Sequence, residues 1–279
     1  MKRRTFLAGS LGVAALRGAS AEALKIGITD WNLGLAGKIG AIEMARRLGF
    51  EGVQVSIGRR IEDGKMPLDD PSSIARYRAE SAKQNMPIDS SCLDRLHDDC
   101  LKDRGSAAPK RITDGIRITA ALGTPIMLVP FFGKCELHAA DLDYTGDALR
   151  EVAPEAEKAG VILGLENTLS AEENVRIMDR ARSRAVLVYY DVGNSTNWHH
   201  DVLREIPWLG RERICQFHLK DNPHYLGEGS IDFVAVLKAI RGIGFRGYAN
   251  LETDAPSHNI DADLRRNLSF VRGILGTGG

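Results

Sequence analysis

The sequence predicts a single-domain α/β protein folded as a (β/α)8 barrel, and three observations carry that prediction. Eight short β-rich runs recur along the chain: "LKIGITDW" (24 to 31), "GVQVSIG" (52 to 58), "MPIDSSCLD" (86 to 94), "TPIMLVPFF" (124 to 132), "VILGLEN" (161 to 167), "AVLVYYDVGN" (185 to 194), "ICQFHLKD" (214 to 221) and "GYANLETD" (247 to 254). Several are continuously apolar rather than alternating, as expected of parallel strands covered on both faces. Amphipathic segments lie between them, and Gly49, Gly123, Gly160 and Gly244 stand where a helix would stop before the next run. Length is the third observation: of 279 residues, about 255 remain once an N-terminal leader is set aside, the size of one eight-fold TIM barrel. An open doubly wound sheet is the alternative topology. No Gly-x-Gly-x-x-Gly follows the first run, so that alternative lacks its usual nucleotide fingerprint.

The chain begins with "MKRRTFLAGSLGVAAL", in which Lys2, Arg3 and Arg4 precede a short run of small and apolar residues. A small-x-small cleavage site follows around Ala19, Ser20 and Ala21. The order Arg-Arg-x-Phe-Leu resembles the twin-arginine export signal. Residues 1–21 are therefore expected to be an export signal and 22–279 the barrel, working in the periplasm. A basic helix that stays attached is the other reading of the segment. The helical patterns that alternate with the runs include "KIGAIEMARRLG", "SSIARYRAESAKQN", "ALREVAPEAEKAG", "AEENVRIMDRAR" and "IDFVAVLKAIRGIG". Each supplies the crossover that parallel strands require.

Lys plus Arg equals Asp plus Glu at 37 each, so the chain lacks the basic excess that gives affinity for phosphate backbones. Nucleic acid is not an expected partner. No second stretch is long and apolar enough to anchor the chain in a membrane. Cys92, Cys100, Cys135 and Cys215 show no C-x-x-C spacing, which argues against a zinc knuckle or a redox pair. A twin-arginine substrate folds in a reducing compartment, so free, mostly buried thiols are expected.

In such a barrel the loops after the strands form the active face. Four consecutive runs, the fifth to the eighth, each end in a residue able to bind a metal: Glu166 in "GLEN", Asp191 in "YYDVGN", His218 in "FHLKD" and Glu252 in "NLETD". Side chains alternate along a strand, so Gly164, Tyr189, Gln216 and Asn250 should share the face of these four. Leu165, Val192, Leu219 and Leu251 should point to the helices. Taken singly, each polar residue could cap a helix or join a surface ion pair. Together, four chelating residues at equivalent places on neighbouring strands point to one ion. Three carboxylates and one imidazole form a fairly hard donor set suited to Mn²⁺ or Mg²⁺, with Co²⁺ or Zn²⁺ as alternatives.

The motifs "GLEN", "DVGN", "HLKD" with "LGEGSIDF", and "NLETD" resemble those of the sugar phosphate isomerase/epimerase family of xylose isomerase-like barrels. The resemblance spans nearly all of the mature chain. It implies that Glu166, Asp191, His218 and Glu252 hold one divalent ion and that Glu166 and Glu252 also shuttle protons. The implied reaction is isomerisation or epimerisation of a keto-sugar or related polyol. Removal of a proton beside a carbonyl leaves an enediolate, which a cation stabilises while two carboxylates move protons on opposite faces. The implied partner is a small carbohydrate. Family members are often dimers or tetramers, so a homo-oligomer is compatible with the resemblance.

Lys220 should point to the same side as His218 and favour an anion or a substrate oxygen, or else be a solvated strand-end lysine. Asp221 reads as a loop-orienting residue, Glu228 as either a mouth residue or a helix-start acid, and Ser230 as an N-cap. Trp31, Gln54, Ser56, Asp94, His97 and Phe132 are candidate walls of a sugar pocket, while His199 and His200 read as exposed. Glu172 matches a substrate-contacting glutamate of ketose 3-epimerases and equally suits a helix N-terminus. Two places depart from those epimerases: Asn194 stands where they carry His, and His224 where they carry Arg. Both are substrate-contacting positions there, which puts a free ketohexose substrate in question. A dehydratase using the same site and a non-catalytic carbohydrate-binding barrel are the competing readings. Endonuclease-like repair chemistry needs additional histidines that these strand ends lack.

Overall fold

The computed structural model describes residues 24–276, and the expected export segment lies outside them. The strands are β1 (Lys25–Thr29), β2 (Gly52–Ser56), β3 (Ile88–Cys92), β4 (Ile126–Pro130), β5 (Ile162–Glu166), β6 (Val186–Asp191), β7 (Ile214–Leu219) and β8 (Tyr248–Leu251). Each pairs in parallel with the next, and β8 returns to β1, so the sheet closes. Every strand falls inside one of the eight runs. The runs extend further because the polar residues at their C-terminal ends leave the ladder for the loops.

The crossovers are α1 (Gly40–Leu48), α2 (Pro71–Gln84), α3 (Ala108–Leu122), α4 (Leu142–Ala159), α5 (Ala171–Ala181), α6 (Val192–Asn197) with α7 (Val202–Leu209), and α8 (Phe233–Gly242), and α9 (Ile260–Gly276) follows the last strand. Gly49, Gly123 and Gly160 end α1, α3 and α4 in the left-handed region, at φ 96°, 82° and 68°. There each returns its N–H to a carbonyl of the last turn, which L side chains do poorly. Gly244 is also left-handed but lies just beyond α8, whose own N-cap is Asp232, with Oδ1 accepting from Ala235 N at 3.0 Å. Ser230, expected in that role, instead donates its N–H to Asp221 Oδ1. Among the described residues, no helix is long and apolar enough to cross a membrane.

The apolar core lies between the barrel and the helices, where Leu165, Val192, Leu219 and Leu251 pack with residues such as Ile42, Ile116, Leu149 and Leu264. The barrel interior is mixed instead, with a small apolar cluster of Cys92, Leu128 and Tyr189 beside a polar network. Asp89 Oδ1 accepts from Ser90 Oγ at 2.7 Å, Gln216 Nε2 at 2.9 Å and Asn250 Nδ2 at 2.9 Å, while Tyr189 OH approaches Gln54 Oε1 and Asn250 Nδ2 at 3.4 Å. Simple alternation would send Asp89 outward, opposite to Ser90. A register shift between β2 and β3, where Val53 faces Ile88 but Gln54 faces Ser90, gives β3 one extra residue and turns the Asp89 carboxylate inward. Gly27 and Gly52 make room for it, since a Cβ would stand 2.7 and 2.5 Å from Asp89 Oδ2.

One expectation about the thiols is corrected. Cys100 and Cys135 form a disulfide, because the 3-10 turns Asp94–His97 and Gly133–Cys135 bring their Cα atoms to 4.8 Å. Cys92 and Cys215 are free, the first buried and the second half-buried. The pair closes a loop with a sequence separation of 35, so the C100A/C135A double variant should lose about 2–4 kcal/mol of stability. Denaturant unfolding checks this, and a loss below about 0.5 kcal/mol, the range of neutral surface changes, would mean the bond contributes nothing.

Candidate metal centre

Each ligand candidate owes its position to a strand end. Glu166 is the last residue of β5 and Asp191 the last of β6, which faces His218 on β7 in register. Glu252 follows β8 and continues the ladder by donating its N–H to Leu219 O at 3.0 Å. One ligand atom from each of the four lies within 4.8 Å of the others. Ligand atoms sit about 2.0–2.6 Å from such ions, so two ligands of one ion cannot be more than about 5.2 Å apart. The four residues pass that test.

The oxygens not committed to Asn194 or Trp31 are the ones that converge. Asp191 Oδ1 accepts the N–H of Asn194 at 2.7 Å, capping α6, and Glu252 Oε1 accepts from Trp31 Nε1 at 3.0 Å. That leaves Asp191 Oδ2 and Glu252 Oε2, which lie 3.6 and 3.4 Å from His218 Nδ1, with Glu166 Oε1 at 2.8 Å. On its other side His218 gives Nε2 to Gln54 Oε1 at 2.8 Å. An amide oxygen only accepts, so Nε2 carries hydrogen and Nδ1 is the nitrogen that could face an ion.

Burial and the neighbouring charges compete in the electrostatics. It pushes the Glu166 carboxyl up to about 7, although His218 opposes the rise. Burial would lower His218, yet the Glu252 and Glu166 carboxylates and Asp191 overcome it and raise the imidazole to about 10. Asp191 is held below the ordinary carboxylate range because Lys220 and His218 outweigh the cost of its burial. Carboxylates that hold a proton at Nδ1 so firmly would hold a metal cation there for the same Coulombic reason.

Above this floor opens a cleft of about 410 Å³ with Glu166 and Glu252 in its lining. Trp31, Ser56, Asp94, His97 and Phe132 line it as the sequence suggested, and the His97 and Phe132 rings stack with centroids 6.2 Å apart. Asp94, its carboxyl raised by burial, accepts Gly58 N at 3.0 Å. Gln54 lies beneath the floor rather than in the wall. Arg59, Cys92, Leu128 and Pro130 also line the cleft and were not singled out from the sequence; the last three continue the inward alternation of β3 and β4, a signal that was available.

Lys220 reaches the site, but three other substrate candidates do not contribute side chains to this cleft. Glu172 sits exposed in the first turn of α5 and pairs with Arg204, so its helix-terminus reading fits its position. His224 is exposed on the loop after β7, where its N–H bonds Asp221 O at 2.9 Å. Asn194 acts through its backbone on Asp191. Glu228 pairs with Arg266, and Asp221 accepts the N–H of Gly229 and Ser230, shaping the loop. His199 is exposed, whereas His200 is half-buried with Nε2 3.0 Å from Thr168 O.

Gln54→Leu removes the partner of His218 Nε2 from a site otherwise intact, and should weaken divalent-ion affinity about 10–100-fold in a calorimetric titration. An unchanged affinity would show that the ring is oriented by other contacts.

A model of the family described as xylose isomerase-like TIM barrel matches residues 42–274. The chain is 26% identical over 230 residues to the 2-epi-5-epi-valiolone 7-phosphate 2-epimerase of an Actinoplanes species, covering 78% of this chain and 82% of that one. It is 22% identical over 249 residues to the 3-dehydro-D-guloside 4-epimerase of Escherichia coli, covering 81% and 91%. Among solved structures, a D-psicose 3-epimerase crystallised in the presence of D-fructose superposes with a TM-score of 0.76 at 16% identity, covering 91% of this chain and 100% of that one. At that identity the likeness speaks for the fold alone.

Proposed function

The chain belongs to the xylose isomerase-like TIM barrel family, and from that premise we propose that it is a divalent-metal-dependent isomerase or epimerase acting on a keto-sugar or related polyol. The observation that carries the proposal is the convergence of Glu166, Asp191, His218 and Glu252 on one point at the floor of a sugar-sized cleft. The epimerase activities named for its relatives support the same reading.

A bound divalent ion, Mn²⁺ or Mg²⁺ by the hardness of the donor set, supplies Lewis acidity that favours negative charge on adjacent substrate oxygens. The chain's own groups do the rest. Trp31 fixes Glu252 through Oε1, and Glu166 is buried at the end of β5, so both carboxylates are held in place at the cleft floor. One takes the proton from the carbon beside the carbonyl and the other returns one, which reverses the configuration or shifts the carbonyl. Trp31, Phe132 and His97 cover C–H faces of the sugar and exclude water, while Ser56 and Asp94 meet hydroxyl groups.

Incubation of Mn²⁺-loaded protein with a panel of keto-sugars in heavy water, followed by NMR, tests the proposal. Deuterium should enter the C–H position beside the carbonyl as an epimer or isomer appears. A new enone with loss of water would reassign the protein as a lyase, and absence of exchange with every sugar at full metal occupancy would refute the proposal. We also propose that it works outside the cytoplasm, a reading supported by the N-terminal sequence and by the Cys100–Cys135 bond, which suits an oxidising compartment.

A further inference from the structure

We propose that Lys220 is a built-in competitor of the divalent ion, its ammonium and the ion addressing the same two carboxylate oxygens. The inference rests on the metal reading of the site. In each of two ligands, one oxygen is committed to a fixed donor: Asp191 Oδ1 to the N–H of Asn194, and Glu252 Oε1 to Trp31. The other oxygen of each, the one turned toward His218 Nδ1, lies against Lys220. Nζ is 2.8 Å from Asp191 Oδ2 and 2.5 Å from Glu252 Oε2.

This placement is built into the chain. Lys220 follows His218 by two residues, and its side chain is only 14% exposed. Its stem crosses Gly193, where a Cβ would stand 2.4 Å from Lys220 Cγ and 2.9 Å from Lys220 O. Any residue but glycine at that point would push the stem away. A buried ammonium needs such partners, and the two carboxylates need a cation between them. A divalent ion at the four-residue point satisfies the carboxylates instead, and its charge repels the ammonium at close range. Ion binding thereby releases Lys220 to donate to a substrate oxygen at the cleft floor, so metal occupancy and sugar recognition become coupled through one side chain.

The opposing role is that of a supporting residue which orients the ligand carboxylates, and the two make opposite predictions for affinity. Calorimetric titration of Mn²⁺ into the full-length protein and its Lys220→Met and Lys220→Gln variants separates them. Competition predicts about 10-fold or tighter binding in both variants, because both lose the charge, and a larger rise in melting temperature on adding Mn²⁺. Lys220→Arg, which keeps the charge, should bind within a few-fold of the original and serves if the neutral variants unfold without the ion. Weaker or unchanged binding in the neutral variants, or tightening in the arginine variant equal to theirs, overturns the proposal and leaves the metal centre standing. Failure of the unaltered protein to bind Mn²⁺ at all overturns both.

Discussion

Glu252→Gln should lower turnover on a responsive keto-sugar by about 10²–10⁴-fold, the range that a positioned acid or base contributes. The amide keeps the side chain's shape and one oxygen, which can serve the ion or Trp31 Nε1 but not both, so the comparison is made at saturating Mn²⁺; the amide cannot take up a proton at the working pH. The loss should therefore appear in kcat at saturating Mn²⁺, with KM for the sugar changed only a few-fold. Glu166→Gln should behave alike, and loss of carbon-bound hydrogen exchange at one face with retention at the other would show which carboxylate serves which face. A kcat within tenfold of the original in both variants would remove these glutamates from proton transfer.

Asp89→Ala should be the most damaging single change to the barrel interior. Asp89 is buried and its Oδ1 receives three donors, so truncation leaves one N–H of Gln216 Nε2 and one of Asn250 Nδ2 without a partner away from water, although Ser90 Oγ and Tyr189 OH still face those nitrogens. Each stranded group costs about 1–3 kcal/mol, giving a loss of about 3 kcal/mol or more. Asp89→Asn keeps the accepting oxygen and should cost about 1 kcal/mol or less. The pair also predicts a pH signature. Burial pushes the Asp89 carboxyl up to about 6, against the lowering effect of its hydrogen bonds to Asn250, Ser90 and Gln216. An unfolded aspartate titrates near about 3.9. Between those values the folded protein keeps a proton that the unfolded chain has released, so this group's contribution to stability declines as pH rises from about 4 to about 6, by about 2–3 kcal/mol in all. Asp89→Asn should remove that slope in denaturant unfolding at a series of pH values. A slope identical in the two proteins would place the buried proton elsewhere.

The barrel was legible because its strands follow rules that act on neighbours in sequence. Period-two alternation placed Gln216 and Asn250 beside the ligands' face, and helix-stopping glycines marked the crossovers. The four ligand candidates were legible for the same reason, each standing at a strand end where direction is fixed by the pleat. Asp89 escaped because a bulge breaks that period, and a bulge depends on the partner strand rather than on its own residues. Gln54 lies beneath the floor and not in the wall because alternation gives a side and not a depth. Loops offer no period at all. Glu172 stands in the first turn of α5, which starts with a Ser170–Glu173 capping box, and His224 on the loop that folds around Asp221, so neither position follows from a strand's period. The Cys100–Cys135 bond was hidden likewise, because two loops and not the intervening spacing set the 4.8 Å between their Cα atoms.

The most direct measurement is an anomalous difference map from crystals of the protein grown with Mn²⁺. The account predicts a single strong peak at the floor of the cleft, within about 2.0–2.6 Å of donor atoms from Glu166, Asp191, His218 Nδ1 and Glu252 together. A peak that engages other residues, or well-ordered side chains at these four positions with no peak among them, would contradict it.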